Sequence, residues 1–222
     1  MEGSLTGFDR DEALRYMGWQ GGPVPEELGR SLDRCEALLR QTARPRTVWR
    51  LFGLEPDGTL TGTDFCPAGQ DIRRHLSGCR QVILMAATLG AEAESLFRRV
   101  QAGDMALALV LDGCASAAVE RVCDELCAEL AARFAPLELT DRFSPGYGDM
   151  PLSQQERLCR LLDVGRRIGV SLTTGGLMLP QKSVTALIGL SDRPRAGRGR
   201  CAGCKMAEDC QIRKAGGHCG GK

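Results

Sequence analysis

No apolar run in this chain approaches the length of a membrane span. The longest, VILMAA and MALALVL, fall far short of the ~20 residues that a spanning helix needs. Net charge is nearly absent as well, at +1 for 222 residues, so the whole molecule has no bias toward nucleic acid or a membrane surface. The first residues, MEGSLTGFDRDEALRYMGW, carry acids early and show no apolar core of a secretory signal. With no export signal, the eleven cysteines are expected as reduced thiols in the cytoplasm. Clustered cysteines there more often bind metal than pair as disulfides.

The balanced charge conceals an asymmetry. From Arg193 to Lys222 there are eight Lys/Arg and two Asp/Glu, which leaves 21 against 26 in the other 192 residues. RPRAGRGR, residues 193–200, reads as a basic, flexible Gly/Pro linker. Beyond it, Cys201, Cys204, Cys210 and Cys219 have the spacing C-x2-C-x5-C-x8-C. Four thiolates so placed can surround one zinc ion or an iron–sulfur cluster, with Gly203, Gly216 and Gly217 allowing tight turns. His218 is an alternative ligand to one sulfur. This tail has no aromatic to stack on a base, which disfavours a nucleic-acid role.

The remaining chain divides into an N-terminal helical segment, 1–44, and a body, 45–192. Apolar periodicity predicts a helix in DEALRYMGW capped by Asp9, and another in EELGRSLDRCEALLRQTA. TVWRLFGL, EPDG and TLTG read as strand, turn and returning strand, and QDIRRHLSG as a short helix. QVILMAATLG is a buried strand running into a helix near Ala91. A long helix follows from Asp104 to Phe134, in which Gly113 marks close packing or a break. A further helix is expected over 153–168, then strands in VSLTTGG and SVTALIGL joined through LMLPQK. These elements predict an α+β fold: a mixed, largely antiparallel twisted sheet with flanking helices.

RFSPGYGDMP, residues 142–151, is the most distinctive segment. Pro145 and Gly146 suit a type II turn, and a glycine there lets a ligand lie against bare backbone. Arg142 offers a fork for a carboxylate, and Tyr147 a flat face for a base or a cation. That inventory fits an amino-acid-like ligand with a ring and a positive centre. It fits equally a rigid surface turn with a solvated Arg and a packed Tyr.

Taken with IGVSLTTGGLMLPQKSVTALIGL downstream, and with VILMAATLGAEAESLFRR and DMALALVLDGCASAAVERVCDEL upstream, this loop resembles the activation domain of cobalamin-dependent methionine synthase. The likeness spans about residues 45–190 and includes that family's R-x-x-x-G-Y-x-x-x-P signature. It implies a protein that binds S-adenosylmethionine and serves reductive methylation of an inactive cob(II) cofactor. By position, Arg142 would address the ligand's carboxylate or nearby polar atoms, and Ser144 and Gly146 would supply backbone contacts. Tyr147 would lie beside the ligand and Glu120 near its amino group, with Lys182 and Ser183 at the same cleft. No residue is assigned a catalytic role, since no proton moves in the methyl transfer.

The chain also departs from the family. The N-terminal Asp that approaches the ligand amine has no clear counterpart, and aliphatics around Leu187 to Leu190 replace an aromatic of the last strand. An Asp-x-His-x-x-Gly cobalamin segment is missing, as are folate and homocysteine modules, so cobalamin enters only through a partner. The resemblance implies an accessory component acting in trans on a cobalamin-binding methionine synthase subunit or another corrinoid protein, with a flavodoxin or ferredoxin as possible electron donor. Alternative readings are a non-catalytic S-adenosylmethionine-binding or docking module with a structural zinc tail, or an activator of another corrinoid methyltransferase. No G-x-x-x-x-G-K-[ST] loop is present, unlike the larger ATPase activators.

Overall fold

The structure, a computed structural model, describes residues 3–19 and 21–192. The four tail cysteines and the basic linker lie outside the described residues. Strands β1 (Arg46–Gly53), β2 (Gln81–Thr88), β6 (Ser183–Ser191) and β3 (Glu138–Leu139) form one antiparallel sheet in the order β1-β2-β6-β3. Helices flank both faces, in an α+β arrangement.

The two faces explain the unbroken apolar character of QVILMAAT. A strand's side chains alternate between faces, so a strand covered on both sides has no polar position to spare. Ile83, Met85 and Ala87 of β2 pack into one core with Ala186, Ile188 and Leu190 of β6. That core is completed by α1 (Arg10–Tyr16), α2 (Glu26–Thr42), α4 (Ala91–Gly103) and α5 (Met105–Phe134). Val82, Leu84 and Ala86 face a second core with Leu187. Helices α3 (Gln70–His75), α6 (Gln155–Leu162) and α7 (Val164–Ile168) cover it.

Helix α5 runs through Gly113 without a break for 30 residues. A Cβ at Gly113 would stand 2.7 Å from Met17 Cγ and 3.0 Å from the Ala13 carbonyl, so the missing side chain allows α1 to cross close to α5. Helix α1 begins where the sequence places its cap: Asp9 Oδ1 accepts from the backbone N–H of Asp11 and Glu12 at 2.9 and 3.2 Å. At the other end of the contact, Thr6 Oγ1 donates to Glu125 Oε1 at 3.2 Å. The two helices therefore run antiparallel along their contact.

Three predicted elements take another form. TLTG makes a single bridge, Leu54 with Leu60, instead of a strand, because Gly62 at φ 76° turns the chain away. The helix expected over 153–168 is split by Asp163, whose φ of 52° breaks it into α6 and α7 after a 3₁₀ turn at Leu152–Gln154. An Asp tolerates that left-handed geometry better than most residues. VSLTTGG holds only β4 (Ser171–Leu172). It pairs with β5 (Met178–Leu179) from the segment read as a connection, across a turn with Gly176 at φ 80°. Among the described residues no helix is long and apolar enough to cross a membrane.

Candidate ligand site

The RFSPGYGDMP loop is fixed at both roots. Phe143 exchanges backbone hydrogen bonds with Leu187 of β6, at 2.9 and 2.8 Å. Its ring packs into the second core, 5.1 Å from His75 and 6.5 Å edge-on from Tyr147. At the far root Met150 is 2% exposed in that same core. Asp149 caps α3, its carboxylate accepting from the N–H of Gln70 and Asp71 at 2.7 and 2.9 Å. Between the roots the Tyr147 N–H donates to the Ser144 carbonyl at 3.1 Å, and Gly146 sits at φ 91°. That is the type II turn expected of Pro-Gly. Gly148 also has positive φ, at 55°, and a Cβ there would meet the Asp71 side chain.

Because neighbouring residues of an extended segment point to opposite sides, Arg142 faces α5 while Phe143 faces the second core. Arg142 is not solvated: its side chain is 17% exposed, and its Nη2 donates to Glu120 Oε2 and Nη1 to Asp124 Oδ1, both at 2.6 Å. Nη1 also lies 3.6 Å from Cys127 Sγ. Burial opposes the guanidinium charge, while the hydrogen bonds to Asp124 and Cys127 help to hold its pKa above the ordinary value. Burial also pushes up the thiols of Cys123 and Cys127, which stay protonated beside it at neutral pH.

Glu120 and Asp124 belong to a stripe. Asp112, Ser116, Glu120 and Asp124 recur every four residues along α5 and so share one face. Lys182, just before β6, grips the first half of that stripe, with Nζ 2.8 Å from Asp112 Oδ1 and 2.9 Å from Ser116 Oγ. Ser183 turns inward instead, its hydroxyl donating to the Pro180 carbonyl at 2.7 Å and accepting from the Thr88 hydroxyl at 2.8 Å. Two cations reaching across from the β6 side thus clamp one acidic helix face.

Helix α1 brings two residues that the sequence reading did not single out. Glu12 and Tyr16, four apart, share a face and lie within electrostatic reach of Glu120. Burial raises the Glu12 pKa, Arg15 opposes the rise, and Glu120, Asp124 and Asp9 add to it. Tyr147 is 61% exposed and Tyr16 51%; both rings stand open beside the cluster. The spacing of Glu12 and Tyr16 is readable in DEALRY, but their meeting with Glu120 depends on the α1–α5 crossing.

Tyr147 leaves the outer edge of the site exposed. Two cavities, of about 290 and 360 Å³, lie elsewhere, the first lined by Cys159, Val164 and Val170 and the second by Leu54, Ile72 and Arg80. Among the described residues no group of three or more His, Cys, Asp or Glu is arranged to hold a metal ion.

No family model matches this chain, and no curated protein matches it in sequence. Among solved structures it is similar to the crystal structure of the MetH reactivation domain bound to AdoHcy, with a TM-score of 0.57. The alignment covers 88% of this chain and 78% of that one, at 17% identity. The likeness is one of fold: this chain has the architecture of that reactivation domain, a four-stranded antiparallel sheet with flanking helices.

Proposed function

We propose that this chain is an S-adenosylmethionine-binding activator that supports reductive methylation of a cobalamin held by a separate protein, the cobalamin-binding subunit of a methionine synthase. The observation that carries the reading is the junction of Arg142 with Glu120 beside a bare-backbone turn, in a fold similar to that of a domain solved with AdoHcy. AdoHcy is the molecule left when S-adenosylmethionine gives up its methyl group.

The residues present suit such a ligand. Glu120, 27% exposed and anchored by Arg142, would take the ligand's ammonium, with Glu12 on the opposite helix as a second anion. The ligand's carboxylate would compete for Arg142 Nη1 with Asp124, the more exposed of its two partners at 63%. A pair that exposed is worth only about 0–1 kcal/mol, so Asp124 yields more easily than Glu120. The backbone at Ser144 and Gly146 and the ring of Tyr147 would border the nucleoside.

The chemistry asks little of the protein beyond position. Once a one-electron donor of the flavodoxin or ferredoxin class has reduced the partner's cobalt, its electron pair forms a cobalt–carbon bond as the methyl–sulfur bond breaks, leaving neutral AdoHcy. Holding donor and acceptor in line removes much of the entropic barrier, and an exposed edge lets a bulky partner approach. An iron–sulfur cluster at Cys201, Cys204, Cys210 and Cys219 would supply a route for the electron.

The test is transfer in trans. A cobalamin protein in the cob(II) state, a reductant and methyl-labelled S-adenosylmethionine are mixed with and without this chain. The proposal predicts labelled methylcobalamin only when the chain is present. Equal labelling in its absence contradicts the proposal, as does no labelling with a partner shown to accept methyl groups chemically.

A further inference from the structure

Tyrosine is scarce in this chain, at two residues in 222, and the two stand on segments that pack against α5 around Glu120: the N-terminal segment through α1, whose contacts with Gly113 and Glu125 bracket it, and the loop whose Arg142 pairs with it. Tyr147 lies in the loop after β3, and Tyr16 ends α1, 131 residues earlier. They are the only large aromatic side chains exposed among the described residues, at 61% and 51%. The phenol of Tyr16 is within electrostatic reach of Glu120, Glu12 and Tyr147, and burial with those two carboxylates pushes its pKa up, so it remains a neutral ring.

The placement of Tyr16 is built. Asp9 caps α1, Ala13 and Leu14 bury its inner face, and the Gly113 contact with Ala13 and Met17 fixes its distance from α5. The inner face holds the helix without Tyr16. Glu12 and Tyr16 are left on another face of α1, a carboxylate followed one turn later by a ring. An exposed ring beside anions needs a reason other than core packing, and base–aromatic stacking gives one.

We propose that Tyr16 is a ligand-positioning residue whose ring contacts the purine base of the nucleoside bound beside Tyr147 and Glu120. This inference rests on the S-adenosylmethionine reading above and adds to it a contact from α1. The flat base is the part of that ligand which a neutral ring recognises best, while its charged parts fall to Glu120, Glu12 and Arg142.

Calorimetric titration of S-adenosylmethionine into the full chain and into Tyr16→Leu and Tyr16→Phe tests it. Loss of one stacked ring weakens base binding by about tenfold or more, so Tyr16→Leu is expected to bind about tenfold more weakly. Tyr16→Phe, which keeps the ring and loses the hydroxyl, is expected to match wild type. An unchanged affinity in Tyr16→Leu overturns the ring contact and leaves the broader reading standing. An equal loss in both variants overturns it in favour of a hydroxyl contact. Should Tyr16→Leu fail to fold, Tyr16→Gln, a good helix former at an exposed position, takes its place, and unchanged affinity there likewise overturns the ring contact. Absence of binding by wild type overturns the S-adenosylmethionine reading itself.

Discussion

Arg142 shows how a residue can be identified from sequence while its partners stay hidden. Its place in RFSPGYGDMP marks it as a candidate, but Glu120 and Asp124 are 22 and 18 residues away and meet it only because the sheet brings the loop onto α5. The same holds for Asp149, whose two acceptor contacts reach 78 and 79 residues back to α3. Glu12 makes a prediction at this scale. Its pKa is raised, first by burial and then by Glu120, Asp124 and Asp9 against the opposing Arg15, so the folded state disfavours its ionised form. That penalty is absent below the carboxyl's unfolded pKa, develops as pH rises through the folded value, and is fully present at neutral pH. Glu12→Gln should therefore melt higher than wild type at pH 7, with the gap closing in thermal melts toward pH 4. A gap that is constant with pH would contradict the electrostatic origin.

At the scale of elements, periodicity made most helices and the three long strands readable. The two-faced burial of β2 was already present in its unbroken apolar run. What escaped was decided by single backbone conformations or by pairing: Asp163 in a left-handed geometry, Gly62 turning the chain after one bridge, and β5 formed inside a presumed connection. The stripe from Asp112 to Asp124 could be read from its spacing, yet nothing local says that Lys182 and Arg142 close on it. The α1–α5 crossing at Gly113 is the contact on which Glu12 and Tyr16 depend. Gly113→Val forces a branched side chain against Met17 and the Ala13 carbonyl, and overpacking of that kind costs about 1–3 kcal/mol. Chemical denaturation should show that loss, together with weaker S-adenosylmethionine binding as α1 is pushed away. Unaltered stability would mean that α1 can shift freely.

For the whole molecule, residues 1–192 carry 21 Lys/Arg against 26 Asp/Glu, and a basic tail with four spaced cysteines follows. The body's fold was legible through the family resemblance and agrees with the structural likeness to the MetH reactivation domain. The division of labour between body and tail belongs to the proposal. If the tail carries an electron-transfer centre, the protein purified without oxygen should be coloured and contain iron. A colourless protein holding one zinc and no iron would sink that part of the account and leave the body's role intact.

The central claim is that the Arg142–Glu120 junction forms part of an S-adenosylmethionine site, and calorimetric titration of that ligand into wild type and Arg142→Ala addresses it directly. Removing Arg142 deletes charge-assisted bonds to Glu120 and Asp124, each worth roughly 1.5–3 kcal/mol where well buried and less at this exposure. The account predicts saturable binding by wild type and a loss of about tenfold or more in a folded Arg142→Ala protein. Wild-type protein that does not bind, or an Arg142→Ala protein that binds as tightly as wild type, would contradict it.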